Sequence, residues 1–155
     1  MKKHDYAISV EWTGNMGTGT SSYAAYSRNH IITGDRKGNV VSGSSDPAFR
    51  GDSARYNPEE LLLAALSACH MLWALHLCAD RKIVVLEYRD DALGVMAEEQ
   101  DGSGKFINVT LQPRMRIATL SQIGGALEAH ELAHRMCFIA NSVNFQVVVQ
   151  PNITS

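Results

Sequence analysis

The chain has 155 residues, of which 45% are hydrophobic and 19% charged, and 14 Lys and Arg stand against 16 Asp and Glu. This composition excludes disordered and fibrous classes and predicts one globular domain over residues 1–155 with a buried core. The charges are scattered without basic blocks, so neither nucleic acid nor an anionic membrane is expected as a partner. A small molecule or another protein is favoured instead.

The N-terminal segment predicts a strand. Tyr6, Ile8, Val10 and Trp12 alternate with more polar residues, and the glycines that follow predict the turn of an antiparallel hairpin. Because this segment alternates apolar and polar residues, it lacks the continuous apolar region of a signal peptide. We therefore expect a cytoplasmic location. Residues 34–57 are rich in Gly, Ser, Asp and Arg and predict mostly loop.

A strong helix start follows this loop. Asn57 is suited to the N-cap position, Pro58 to the first helical position, and a carboxylate lies three residues after the cap. The helix should run from Pro58 to about Ala79. Between Leu61 and Ala79 there is no Asp, Glu, Lys or Arg.

Such an apolar helix is nearly long enough to cross a bilayer. Two histidines and a serine interrupt it and a capping box opens it, which favours the central core helix of a globular protein. A chain of this size has few other elements to surround such a helix. We therefore predict a homodimer with these helices packed at its centre.

The rest of the chain predicts strands and a second helix. Residues 87–100, 106–118 and 145–151 read as strands, with a hairpin turn in residues 99–106, and residues 121–140 read as a helix. The order is strands, helix, strands, helix, strand. This order predicts an α+β fold.

The second helix carries the sequence H-E-x-x-H. His130 and His134 would share one helix face, with Glu131 beside them as a base, as in helical zinc sites. A catalytic zinc site needs a third ligand, and no His, Asp or Glu follows His134. Cys137 lies on the same stripe, so metal binding by His130, His134 and Cys137 stays open as an alternative, but we assign no metal.

The three cysteines, Cys69, Cys78 and Cys137, show neither a disulfide framework nor a C-x-x-C motif. Cys69 and Cys78 are nine residues apart and point to opposite faces of the first helix. Cys137 could meet Cys69 if the two helices pack face to face. The residues alone leave two readings open: a peroxidatic and resolving pair, or two buried core cysteines.

Two motifs taken together resemble those of the OsmC/Ohr family, the osmotically inducible and organic hydroperoxide resistance proteins. The first is residues 57–62 with the apolar helix that carries Ala68 and Cys69. The second is His134 through Cys137, followed by residues 139–142. The opening strand, ending in residues 12–14, also fits, so the resemblance covers nearly the whole chain.

The resemblance implies an intertwined α+β homodimer in which antiparallel sheets flank two central helices. It also implies a thiol-dependent peroxidase that reduces organic hydroperoxides, without a cofactor, in an antioxidant response. Cys69 would be oxidised to a sulfenic acid, Cys137 would condense with it, and an external dithiol would reduce the disulfide. The main alternative is a non-catalytic member that binds a hydrophobic small molecule.

The resemblance further implies an arginine that stabilises the Cys69 thiolate, held by the carboxylate of Glu59. The turn in residues 14–20, where the family places this arginine, contains none. Arg28, Arg50 and Arg55 are the candidate replacements, and we select Arg50. Glu59 is about 15 Å along the helix from Cys69, so it would act across the dimer, or it simply stabilises the helix N-terminus.

Two histidines have open roles. His70 follows Cys69 but points about 100° away from it on a helix, which favours a core or interface position. His134 precedes Cys137 by three residues, as a histidine commonly does in the family. Its other interpretation is a packing or capping residue of the second helix.

Overall fold

The computed structural model describes all residues, 1–155, and the contacts divide the chain into two compact units, Met1–Leu61 and Leu62–Ser155. The first unit holds one antiparallel sheet in the order β1-β2-β3. Its strands are β1 (Ser9–Trp12), β2 (His30–Thr33) and β3 (Val41–Gly43). The predicted antiparallel pairing of the first strand is confirmed, although that strand begins at Ser9 rather than Tyr6.

The first helix, α1, spans Pro58–Asp80, as predicted to within one residue. The Asn57 side chain accepts a hydrogen bond from the Glu60 backbone N–H at 2.8 Å. In return, the Glu60 carboxylate accepts from the Asn57 N–H at 3.0 Å. This reciprocal capping box satisfies two backbone donors and fixes where α1 begins.

The second unit contains two three-stranded sheets, in the orders β4-β7-β9 and β5-β6-β8. Their strands are β4 (Val85–Asp90), β5 (Leu93–Glu98), β6 (Gly104–Leu111), β7 (Pro113–Ile117), β8 (Gln146–Val149) and β9 (Asn152–Thr154). The first two predicted strand segments are therefore each divided into two strands, and the third is followed by a further strand. β5 and β6 form the predicted hairpin, while the β6–β8 and β7–β9 pairs are parallel.

The second helix, α2, spans Ile123–Met136 and is shorter than the predicted residues 121–140. A 3-10 turn precedes it, and a second one follows at Ala140–Ser142. Cys137 is the C-cap residue, with an extended backbone at φ −66° and ψ 110°. The prediction that Cys137 lies on the helix was wrong, because the chain leaves the helix one residue earlier without a glycine or proline to mark the exit.

One stripe of α1 lies in the core of the second unit. Leu66, His70, Ala74 and Cys78 repeat every fourth residue and are buried. Ala74 and Cys78 pack with three alanines of α2 and with strand β7. Leu66 packs with Val109 and Leu111 of β6. The two helices and mixed sheets confirm the α+β fold class.

The rest of α1 is largely uncovered in a single chain. By length and composition the helix could cross a membrane, yet only 22% of its most apolar stretch is buried. Leu72 is 62% exposed. A core helix of a globular protein passes the same test of length and composition, and one stripe of α1 lies in the core of the second unit.

Candidate functional site

The two cysteines singled out from the sequence come together in the second unit. Cys69 lies at the middle of α1 and Cys137 at the end of α2, and the Cys69 thiol is close enough to Cys137 to raise the pKa of the Cys137 thiol. Both are free thiols. Packing of the two helices thus joins residues that are far apart in the chain.

The two thiols have different surroundings. Cys69 is half-buried, whereas Cys137 is buried, with only 1% of its surface exposed. The pKa of Cys137 is raised to about 11, chiefly by burial and also by the neighbouring Cys69 thiol, while the Ala140 N–H, 3.4 Å from Sγ, partly offsets this. Cys69 is therefore the thiol that a reactant can reach first, and Cys137 is a protonated partner behind it.

Beside Cys137 is an open cavity of about 460 Å³. Its lining includes His134 at the last turn of α2 and Ala140, whose N–H points at the Cys137 sulfur. His134 is half-buried, and its Nδ1 has no hydrogen-bond partner. The cavity gives this end of α2 a path to solvent.

An aromatic pair links α1 with the segment that follows α2. Trp73 is one helical turn beyond Cys69, and Phe138 directly follows Cys137. Their rings meet edge to face, with centroids 5.7 Å apart. Phe138 is 64% exposed, so the pair leaves an apolar ring open to solvent.

The third cysteine is sealed in the core. Cys78 is fully buried in the cluster that α1, α2 and β7 share. Burial raises the pKa of its thiol, an effect that Arg81 partly offsets. The structure thus separates Cys78 from the Cys69–Cys137 pair, as the helical spacing indicated.

The residues of the H-E-x-x-H motif are not arranged as in a zinc-binding helix. His130 is buried and its Nδ1 lies 2.9 Å from Nε2 of His70, while Glu131 is exposed. No three His, Cys, Asp or Glu side chains are grouped in a way that could hold a metal ion. His70 is a core histidine, and its partnership with His130 was not predicted from the sequence.

The candidate arginines all belong to the first unit. The Arg28 guanidinium lies between the rings of Tyr23 and Tyr26, 4.2 and 4.1 Å from their centroids, and donates to both backbone carbonyls. Arg55 forms an ion pair with Asp52 at 3.5 Å. These two guanidinium groups are therefore already engaged.

Arg50 differs from the other two candidates. It is exposed, forms no ion pair, and has a left-handed backbone at φ 64° where it ends a 3-10 turn. Glu59 is half-buried in the first turn of α1 and makes no side-chain hydrogen bond. Both side chains thus keep their charges uncommitted within this unit.

A model of the OsmC-like protein family matches residues 51–152, which include both Cys69 and Cys137. The chain belongs to the OsmC-like protein family. An OsmC-like protein of unknown function from Vibrio cholerae O1 biovar eltor is 30% identical, with a TM-score of 0.86 over 97% of this chain and 100% of that one. This membership confirms the resemblance seen in the sequence.

More distant OsmC-like structures share the fold. An organic hydroperoxide resistance protein from Elizabethkingia anophelis is 21% identical, with a TM-score of 0.68 and 99% of each chain covered. One from Legionella pneumophila, described as a predicted redox protein, is 19% identical, with a TM-score of 0.67 over 99% of this chain and 100% of that one. No curated protein matches this chain in sequence.

Proposed function

We propose that this OsmC-like protein is a thiol-dependent peroxidase that reduces organic hydroperoxides. In the first step the Cys69 thiolate attacks the distal oxygen of the hydroperoxide. The O–O bond breaks, the proximal oxygen leaves and takes up a proton as an alcohol, and Cys69 becomes a sulfenic acid. The hydroperoxide is reduced by two electrons and the sulfur is oxidised by two.

In the second step Cys137 resolves the sulfenic acid. Its sulfur attacks the Cys69 sulfur, an S–S bond forms, and the S–O bond breaks. The hydroxide that leaves combines with the Cys137 thiol proton as water. An external dithiol then reduces the disulfide by exchange and is itself oxidised to a disulfide.

The observation that carries this proposal is that the Cys69 and Cys137 thiols, far apart in the chain, are neighbours in the fold. A disulfide requires the two Cβ atoms to approach within roughly 3.5–4.5 Å, and these neighbouring thiols are the cysteines from which one can form. The half-exposed position of Cys69 suits the residue that meets substrate, and the burial of Cys137 suits the one that acts second. Two structural relatives named as organic hydroperoxide resistance proteins support the same activity.

We further propose supporting roles for Arg50 and Glu59. A thiolate in apolar surroundings needs a cation to stabilise it, because burial alone favours the neutral thiol. Of the three candidate arginines, Arg50 is the one whose guanidinium is not already paired or clamped. Glu59 would hold that guanidinium in place.

A homodimer is part of the same proposal. The apolar face of α1 outside its buried stripe needs cover, and a second copy of α1 presents a matching apolar face. Light scattering coupled to size exclusion should report twice the 17.0 kDa chain mass. A monomer at micromolar concentration would contradict the dimer without touching the thiol chemistry.

The proposed activity is tested with cumene hydroperoxide and dithiothreitol. The protein should consume the hydroperoxide catalytically. With dithiothreitol left out, because a thiol would reduce a sulfenic acid, the Cys137→Ser variant should accumulate a sulfenic acid that dimedone traps on Cys69. A protein that consumes no hydroperoxide yet retains a lipophilic molecule through purification would be a binding protein, which the partly exposed Trp73–Phe138 pair would also allow.

A further inference from the structure

A pair of buried histidines joins the two helices that carry the thiols. His70 Nε2 and His130 Nδ1 lie 2.9 Å apart, and the rings are stacked with centroids 5.2 Å apart. His70 is 0% and His130 1% exposed. Two such polar side chains inside an apolar core are costly to bury, and their mutual hydrogen bond offsets part of that cost.

This is the one side-chain hydrogen bond between α1 and α2. Apart from it, small residues dominate the contact between the helices, namely Ala74, Cys78, Ala126, Ala129 and Ala133. Past the end of α1, Arg81 adds a bond to the Gly125 carbonyl at 2.8 Å. Small side chains allow the helices to approach closely but provide no directional contact, so His70–His130 is the specific polar contact within the interface, and Arg81 adds an ion pair to Glu128 at 3.5 Å beyond its end.

The distance between the two thiols depends on the positions of the two helices relative to each other. Cys69 directly precedes His70, and Cys137 follows His130 by about two helical turns. A slide of one residue moves a helix by about 1.5 Å, which is more than the range of Cβ separations that a disulfide tolerates. A contact that fixes the helices therefore also fixes the distance between the two sulfur atoms.

We infer that the His70–His130 hydrogen bond is a positioning contact that holds α1 and α2 in the register at which Cys69 and Cys137 form a disulfide. The inference rests on the proposed function for the pairing of the two thiols. Neither histidine is a catalytic residue in this account. They affect the equilibrium constant for forming the Cys69–Cys137 disulfide.

The hydrogen bond requires one histidine to donate and the other to accept, so both rings must be neutral. The pKa of each is lowered to about 4, chiefly by burial and, for His70, also by the neighbouring His130 and His134. The other facing titratable group is Tyr88, stacked on His130, whose own pKa burial and Asp90 raise. The pair is therefore neutral at pH 7.

The atoms involved allow the bond to be rebuilt without histidine. A glutamine at 70 places an amide near the Nε2 position, and an asparagine at 130 places one near Nδ1, so His70→Gln with His130→Asn restores the bond. His70→Leu with His130→Leu removes it at similar volume. His70→Asn with His130→Asn keeps two amides, but the first is too short to reach.

The test measures the equilibrium between the Cys69–Cys137 disulfide and a glutathione redox buffer, on the full chain with Cys78→Ala, at pH 7. The leucine pair should lower the equilibrium constant for disulfide formation about two- to tenfold, as expected for one neutral hydrogen bond. The Gln/Asn pair should return it to within about twofold of the histidine protein. Circular dichroism shows which variants are folded.

An unchanged constant in the folded leucine pair would overturn the inference, as would a Gln/Asn pair as impaired as the leucine pair. If the leucine pair does not fold, equal constants for the Gln/Asn and Asn/Asn pairs overturn it, and a higher constant for Gln/Asn supports it. Hydroperoxide turnover is measured separately on the histidine protein. If the histidine variants change the disulfide equilibrium but the histidine protein does not turn over hydroperoxide, the proposed function is contradicted and the inference is kept. If the protein turns over hydroperoxide but the variants leave the equilibrium unchanged, the inference is contradicted and the proposed function is kept.

Discussion

Cys69 and Cys78 belong to the same helix but to two different environments. Cys69 is half-exposed beside the Cys137 thiol, while Cys78 is fully buried among alanines of α2 and side chains of β7. The local sequence around both is almost equally apolar. The face of the helix, and the element packed on that face, therefore decide whether a thiol in α1 can react.

The strongest way to test this difference is to replace each thiol in turn. Cys69→Ser should lower hydroperoxide turnover at least about a thousandfold, because a hydroxyl cannot replace the thiolate nucleophile. Cys78→Ser should keep turnover within about twofold. Steady-state assays with cumene hydroperoxide measure both, and comparable losses in the two variants would refute the assignment.

Acid should destabilise the folded chain through the buried histidines of its core. His70 and His130 have pKa values of about 4 in the folded chain against 6.5 when unfolded, so the unfolded state binds more protons between these values. Stability is complete above pH 6.5 and falls as the pH drops towards 4, by on the order of 3 kcal/mol for each histidine. Urea unfolding across this range checks the prediction.

The Gln/Asn pair at positions 70 and 130 is the matched control for acid unfolding, because it does not titrate there. Its stability should depend less on pH between 6.5 and 4 than that of the histidine protein. Identical pH dependence in both proteins would assign the acid sensitivity to other groups, such as the carboxylates that form surface ion pairs.

Alkylation should distinguish the two thiols without any mutation. Cys69 should react with iodoacetamide at least about a hundredfold faster than Cys78, because Cys78 reacts only when its part of the core opens. Burial also raises the pKa of Cys78, which lowers its thiolate fraction. Peptide mass spectrometry over a time course measures both rates, and similar rates would show that the core around Cys78 is open.

The smallest expected effect is the loss of stability when the buried Cys78 is replaced. Cys78→Ser places a hydroxyl in an apolar cluster and should lower the free energy of unfolding by about 1–3 kcal/mol. Cys78→Ala leaves no polar atom there and should cost less than the serine if the core closes around it. Urea titrations of the two variants give the comparison, and a serine variant as stable as the original chain would contradict it.

The sequence predicted the elements whose signals are local. Asn57, Pro58 and Glu60 define the start of α1 by their own hydrogen bonds, and the glycines after Glu98 define the β5–β6 hairpin. The end of α2 was not predicted, because Met136 and Cys137 carry no helix-stop signal. The parallel positions of β8 and β9 depend on pairing with distant strands, which periodicity does not report.

The site was predictable in part for the same reason. Helical spacing separated Cys69 from Cys78, and the paired motifs linked Cys69 with Cys137. The His70–His130 bond joins residues 60 positions apart and follows from helix packing alone. The H-E-x-x-H spacing was correct for a metal helix, but His130 lies in the core and bonds His70.

The most direct test of the account is mass spectrometry of the reduced chain after one equivalent of cumene hydroperoxide. The account predicts a loss of two hydrogens and a peptide that links Cys69 to Cys137, with Cys78 remaining a free thiol. A linkage through Cys78, or an unmodified chain with the hydroperoxide intact, would contradict the claim that Cys69 and Cys137 form the reactive pair.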